Sequence, residues 1–159
     1  MNNQIYQLVI FQLSKEEFGI EITKIKEIIR MKEITKLPNS SETFLGIINL
    51  RGNIVPIVDL RKKFNLEEKL TNKSRIIIIE VDGQNIGIIV DSVSEVLRIK
   101  SDEIEDAPDK IVGIRNEYLK GLAKVKDRII ILCDLEKLLT VEEKINLKEI
   151  SENVKEDTA

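Results

Sequence analysis

The chain has 159 residues, of which 42% are hydrophobic and 33% charged, and its net charge is −3 at pH 7. That length allows one domain or two small ones, and the composition is sufficient for a buried core. The acidic balance argues against a general binder of nucleic acid, and the single cysteine excludes an internal disulfide. No apolar run approaches the ~18 residues of a membrane helix, and the N-terminal residues do not resemble a secretory signal. We therefore expect a cytoplasmic protein with no direct membrane insertion.

The first half of the chain predicts strands joined by short polar turns. Segments rich in β-branched and large apolar residues predict strands at residues 5–13, 18–22, 46–51 and 54–59. Thr23 is a candidate N-cap for a short helix carrying Ile25, Ile28 and Ile29. A second short helix is expected at residues 60–64, and the polar segment 66–73 is the expected boundary between the two halves.

The second half predicts a similar series. Strands are expected at residues 75–81, 86–90, 119–125 and 128–134, and residues 93–99 should pass from a helical turn into a strand. Residues 100–110 form an acidic loop in this interpretation. Beyond residue 140, apolar residues at helical spacing predict an amphipathic C-terminal helix.

Two segments of the chain repeat earlier ones at fixed offsets. Residues 119–139 match residues 44–64 at an offset of 75, and residues 78–99 match residues 10–31 at an offset of 68. Aligned identical residues include Gly46 and Gly121, Asp59 and Asp134, Gly19 and Gly87, Glu27 and Glu95, and Arg30 and Arg98. Two copies of one β-rich unit of roughly 70 residues therefore fill the chain.

The repeat defines the expected architecture. A unit of roughly 70 residues has a marginal core when it stands alone, so we expect two intimately packed units that share one. Many short strands with tight turns predict a mainly β fold with two small barrels. The first barrel is expected within residues 1–68, the second within 73–140, and a helical tail at 141–159.

The composition offers little for catalysis. Histidine, the commonest general base, is absent. Cys133 lies in an apolar run and is expected to be a buried structural thiol. The densest carboxylate cluster, within residues 102–106, could bind a hard cation, although a solvated loop is the simpler interpretation. These features favour a binding scaffold with no cofactor.

Differences between the copies indicate where such a scaffold could bind. Gly19, Gly46 and Asp59 are matched in the second copy, whereas the hairpin turn around Arg51 and Gly52 is not, since Lys126 aligns with Arg51. Arg51 offers a planar fork of five donors beside an uncrowded main chain. An ordinary surface turn with an exposed arginine is the alternative.

Residues 46–61, GIINLRGNIVPIVDLR, closely resemble the signature stretch of the CheW-like family of bacterial chemotaxis coupling proteins. Further resemblance lies in residues 18–28, 87–91 and 118–122. It covers roughly residues 5–140, and residues 140–159 carry no family motif. The resemblance implies two five-stranded SH3-like barrels around a shared core, in one domain.

It also implies an adaptor, not an enzyme, that joins the cytoplasmic tip of chemoreceptors to the regulatory domain of the histidine kinase CheA, in receptor arrays beneath the inner membrane. Arg51 matches the family's receptor-binding arginine. Ile25 and Glu27 match positions implicated in receptor coupling, and Gly46 and Asn49 belong to the same face. Structural roles compete for several of them: Ile25 as core, Glu27 as a cap or pairing partner within its own short helix, and Gly46 as a backbone requirement.

Other interpretations remain open at this stage. Within the family, a chemotaxis-like pathway that controls pili or gene output would have the same sequence pattern. Outside it, a double barrel could be a ligand-binding or ribosome-associated module. The acidic balance and the few aromatic residues argue against the second.

Overall fold

The computed structural model describes residues 4–36, 44–63, 66, 70–106 and 119–134. The strands of the first half are β1 (Ile5–Leu13), β2 (Glu16–Glu21), β3 (Ile25–Arg30), β4 (Phe44–Leu50) and β5 (Asn53–Asp59). Those of the second half are β6 (Arg75–Val81), β7 (Gln84–Val90), β8 (Ser92–Lys100), β9 (Ile104–Glu105), β10 (Leu119–Val125) and β11 (Arg128–Cys133). A short helix, α1 (Leu60–Lys63), follows β5, and 3-10 turns lie at Ile22–Lys24 and Ser101–Glu103. The mainly β fold is confirmed, and so are the strands predicted on both sides of the turns that join β4 to β5, β6 to β7 and β10 to β11.

The strands form two sheets. Sheet I has five strands in the order β3-β6-β7-β5-β4, and sheet II has six in the order β8-β1-β2-β11-β10-β9. In both, neighbouring strands are antiparallel except for one parallel pair, β5 with β7 in sheet I and β11 with β2 in sheet II.

The sequence repeat relates one sheet to the other. Under the two offsets, β1, β2, β3, β4 and β5 correspond to β6, β7, β8, β10 and β11. This exchange converts the order of sheet II, apart from β9, into that of sheet I. The registers also correspond, since Ile10 faces Gly19 in one sheet and Ile78 faces Gly87 in the other. The repeated unit is thus a repeated structural element.

The assignment of one barrel to residues 1–68 and another to residues 73–140 needs correction. Strands β1 and β2 lie in sheet II, whereas β6 and β7 lie in sheet I. Each half therefore contributes strands to both sheets. The physical reason is that β5 and β11 each form their parallel ladder with a strand of the other half, through Ile57–Gly87 and Leu132–Gly19.

Within the described residues, the core has three parts. A central cluster takes Phe11 and Phe18 from sheet II and Ile77 and Ile88 from sheet I. One further cluster lies within each sheet, around Ile78 in sheet I and around Ile10 in sheet II. The shared core predicted from the repeat is therefore present.

Two predicted helical segments are wrong. The helix expected after Thr23 is a three-residue 3-10 turn followed by β3, and the helical turn expected at the start of 93–99 is part of β8. Isoleucine and valine favour extended backbone when a neighbouring strand is available, and β6 and β1 are those neighbours. The predicted helix at 60–64 is present as α1, and the predicted C-terminal helix lies outside the described residues.

In both sheets the chain that leaves one edge strand reaches the opposite edge. After β8 it continues into β9, which pairs with β10. After β3 it reaches Thr35, which forms a bridge with Ile47 of β4. The sheets are therefore curled, while the closed SH3-like barrel remains a prediction.

Candidate protein-binding site

The hairpin turn between β4 and β5 presents Arg51. Arg51 and Gly52 have φ values of 52° and 86°, as a type I′ turn requires at its two central residues. The side-chain Oδ1 of Asn49 accepts a hydrogen bond of 2.8 Å from the backbone N–H of Gly52. Lys126 in the matching hairpin has a similar φ of 57°, so the left-handed backbone at this position recurs in both hairpins, whereas the side chain differs.

Arg51 forms a two-point ion pair with Glu27 of β3. Its Nη1 donates to Oε1 at 3.1 Å, and its Nη2 donates to Oε2. The Arg51 side chain is nevertheless 67% exposed, against 33% for Glu27. Hydrogen bonding from Arg51 lowers the pKa of Glu27, and the same contact raises the pKa of Arg51. The pair is therefore charged at neutral pH and open to a partner.

Lys32 lies beside the Arg51–Glu27 pair on the same surface, and no pattern in the sequence indicated it. Its Nζ donates a hydrogen bond of 2.7 Å to the backbone carbonyl of Asn49. Because Lys32 lies on the segment that crosses from β3 towards β4, only the curl of sheet I brings it to the hairpin. We call Glu27, Lys32, Asn49 and Arg51 the charged face.

Two predicted site residues lie apart from that face. Ile25 is half-buried and packs against the central cluster. Gly46 has a φ of 152°, and a Cβ there would lie 2.1 Å from the carbonyl oxygen of Thr35. Gly46 is thus needed for the bridge between the two edges of sheet I. Ile25 and Gly46 therefore support the charged face structurally and are not part of it.

A buried polar cluster lies where the two sheets meet. Arg61 of α1 is 2% exposed and donates from Nε and Nη2 to both oxygens of Asp59 at 3.0 Å. Its Nη1 donates to Oδ1 of Asp91 at 2.7 Å, and Oδ2 of Asp91 accepts from the backbone N–H of Ser14. Burial works against the charge of Arg61, but the contacts with Asp59 and Asp91 outweigh it and raise its pKa.

This cluster links β5 of sheet I to the turn of β1–β2 in sheet II. The signal in the sequence was an aspartate and an arginine two residues apart at the end of an apolar strand. The repeat identified Asp59 only as a position matched by Asp134.

In the described chain, the thiol and the carboxylates have surroundings that fit structural roles. Cys133 is buried as predicted, and that burial, with the charge of Asp134, raises its pKa to about 12. Across the described segments, His, Cys, Asp and Glu side chains nowhere group as metal ligands would. Helices within those segments are too short or too polar to cross a membrane.

Two curled sheets around a shared core, with an exposed charged face on one of them, define a β-rich scaffold with an accessible polar surface. Comparison with known proteins identifies the group to which it belongs. Residues 7–143 match the family model described as a CheW-like domain, and the chain belongs to that family. The function of the family is that of a chemotaxis adaptor, a scaffold that couples receptors to the kinase CheA.

Individual relatives agree. The chain is 41% identical to the chemotaxis protein CheW of Klebsiella aerogenes over 138 residues, which are 86% of this chain and 83% of that protein. It is 32% identical to CheW of Treponema pallidum, covering 90% of this chain and 87% of that protein. Among solved structures, the scaffolding protein TtCheW from Thermoanaerobacter tengcongensis superposes with a TM-score of 0.81 at 38% identity, covering 88% of this chain and 91% of that one.

Proposed function

We propose that the charged face of sheet I is the receptor-binding surface of this adaptor. The observation that supports it most is the Arg51–Glu27 pair, which fixes the guanidinium while leaving two thirds of the Arg51 side chain exposed. A fixed and exposed guanidinium loses little freedom on binding and can still donate hydrogen bonds. It suits a polar or acidic group on the tip of a helical receptor hairpin.

The other residues of the site have a supporting role in this proposal. The Asn49 side chain stabilises the turn that carries Arg51, and Lys32 holds the backbone of the same strand. Gly46 allows the edge of sheet I to close against Thr35. Ile25 links the face to the central cluster, so a change at the receptor contact can reach the core.

Coupling itself is a matter of proximity and linkage. An adaptor that binds a receptor and the regulatory domain of CheA raises their effective concentration. If receptor binding favours one arrangement of the adaptor and kinase, it changes the affinity of the adaptor for the kinase. Linkage then requires that kinase binding change the affinity for the receptor by the same factor. The site of action proposed is the cytoplasm, at receptor arrays beneath the inner membrane. The chain crossings at Thr35 and β9 support two SH3-like barrels as the supporting fold.

The test is co-sedimentation of the purified chain with receptor-containing membranes. Arg51→Glu should weaken it by about tenfold or more, because the variant places two carboxylates side by side and removes the guanidinium. Lys126→Glu, at the matching turn of sheet II, is the control and should bind like the wild type. Wild-type binding by Arg51→Glu would remove the charged face from the receptor site.

A further inference from the structure

A second basic site lies on sheet I, away from the hairpin turn. Arg30 of β3 stands directly opposite Arg75 of β6 in the antiparallel ladder. Side chains so placed have Cβ atoms about 5 Å apart, and like charges there destabilise the pair of strands. Strand pairing therefore gains nothing from the second arginine.

The two arginines border an open pocket of about 420 Å³. Its lining consists of Arg30, Met31, Thr71, Asn72, Ser74 and Arg75. Arg75 is held in place by neutral groups, since its Nη1 donates to the backbone carbonyls of Asn72 at 3.0 Å and Ser74 at 2.8 Å.

Neither arginine has an anionic partner in the described part of the chain. The ion pairs found there join other residues. Arg30 is exposed and Arg75 half-buried. Two guanidinium groups thus face one pocket without a carboxylate from the segments described.

Sheet II provides an internal comparison. At the matching position Arg98 of β8 faces Gln7 of β1, so the arginine of the edge strand is retained and its neighbour is neutral. Because the ladder forms with glutamine in one sheet and arginine in the other, Arg75 is not a requirement of the fold.

We propose that Arg30 and Arg75 form a docking site for an acidic segment of a protein partner. Two adjacent guanidinium forks match the carboxylates of such a segment. A membrane surface is usually recognised by four to eight clustered basic residues, and the chain as a whole is acidic, with a net charge of −3. The site uses different residues from the charged face and can hold a partner independently of it.

The probe is a fluorescently labelled hexaglutamate peptide, titrated into the full chain at low and at high salt, with hexaglutamine as the neutral control. Nε–Hε NMR signals of Arg30 and Arg75 should shift with hexaglutamate only. Arg75→Gln places at this position the residue type that sheet II has there, Gln7. This variant and Arg30→Gln should each weaken hexaglutamate binding about tenfold. Arg98→Gln, at the matching position of sheet II, should leave the affinity unchanged.

Stability separates this role from a structural one. Arg75→Gln should melt at or above the temperature of the wild type, because it removes a like-charge contact. A lower melting temperature, an affinity unchanged in Arg30→Gln and Arg75→Gln, or Arg75-dependent binding to phosphatidylserine vesicles without binding to hexaglutamate would each overturn the proposal.

Discussion

The two sheets share their strand order and differ in how they hold a surface arginine. In sheet II, Arg128 is held by two carboxylates, with Nη2 at 2.7 Å from Glu17 and Nη1 at 3.2 Å from Glu95. In sheet I, Arg51 has one such partner among the described residues, Glu27, which is the repeat mate of Glu95. The Arg128 side chain is 34% exposed, half the value for Arg51.

The carboxylate at this repeat position, Glu27 or Glu95, thus has a different role in each sheet. In sheet II it completes a closed local network, and in sheet I it orients an arginine that remains available. Features that recur in both copies, such as Gly46 with Gly121, are candidates for a structural requirement. Features that differ between the sheets, such as Arg51, Arg75 and the buried Arg61, are the candidates for function or for asymmetry of the core.

The largest effect should come from separating the halves. A fragment of residues 1–64 keeps β1 and β2 but lacks β8 and β11, their neighbours in sheet II. We expect no cooperative thermal transition in that fragment by circular dichroism, whereas the full chain should show one. A cooperative transition in the fragment would mean that one half can form a sheet of its own.

Removing the buried arginine should come next. Arg61→Met leaves Asp59, which is 1% exposed, without its counter-charge. Uncompensated burial of that kind costs about 3 kcal/mol or more of the free energy of unfolding, measurable by urea denaturation. Adding Asp59→Asn should recover part of the loss, and an unchanged stability in Arg61→Met would show that the cluster does not link the sheets.

Glycine substitutions compare the two sheet edges. The Cβ added by Gly46→Ala would lie 2.1 Å from the Thr35 carbonyl oxygen, at a position with a φ of 152°. The Cβ added by Gly121→Ala would lie 2.6 Å from the Glu105 carbonyl oxygen. We expect Gly46→Ala to cost roughly 2 kcal/mol and Gly121→Ala less, as measured by denaturant unfolding. Equal losses would indicate that both edges depend on the close approach alone.

Exchanging the charges of Glu27 and Arg51 distinguishes a structural role of this ion pair from a role in receptor recognition. The double variant Glu27→Arg with Arg51→Glu keeps an ion pair between β3 and the hairpin turn. We expect its melting temperature to stay close to that of the wild type and its receptor co-sedimentation to remain as weak as that of Arg51→Glu alone. Restored co-sedimentation would show that the pair matters only for local structure.

The smallest effect concerns pH. Hydrogen bonding from Arg51 holds the pKa of Glu27 below its ordinary value of 4.5, and Arg128 does the same for Glu17. A carboxylate with a lowered pKa stabilises the folded state above its ordinary pKa, and that contribution is lost as the pH falls through the lowered value. NMR titration should show both carboxylates titrating below 4.5, and Arg51→Gln should return only Glu27 towards its ordinary value.

Much of the fold followed from local sequence. Turn residues and β-branched runs located the described hairpins, and the repeat predicted the shared core. Sequence could not decide which copy of a strand pairs with which, because equivalent strands present equivalent apolar patterns. The short helices predicted around Thr23 and residue 93 failed for a related reason, since a neighbouring strand overrode the local capping signal.

The candidate site was only partly accessible from the sequence. Arg51, Glu27 and Asn49 were selected through the family resemblance, but their mutual contacts depend on the curl of sheet I. Lys32 and the opposition of Arg30 to Arg75 depend on a ladder register that no local pattern specifies. Gly46 was recognisable as a backbone requirement because Gly121 repeats it.

Interleaved strands also constrain how such a molecule can arise. A single ancestral unit of the repeat would place its first two strands and its last three in different sheets. Both sheets would be complete only if two such units exchanged strands in an intertwined homodimer. Tandem duplication and fusion would then convert a concentration-dependent dimer into one chain, in which each half is free to acquire its own surface.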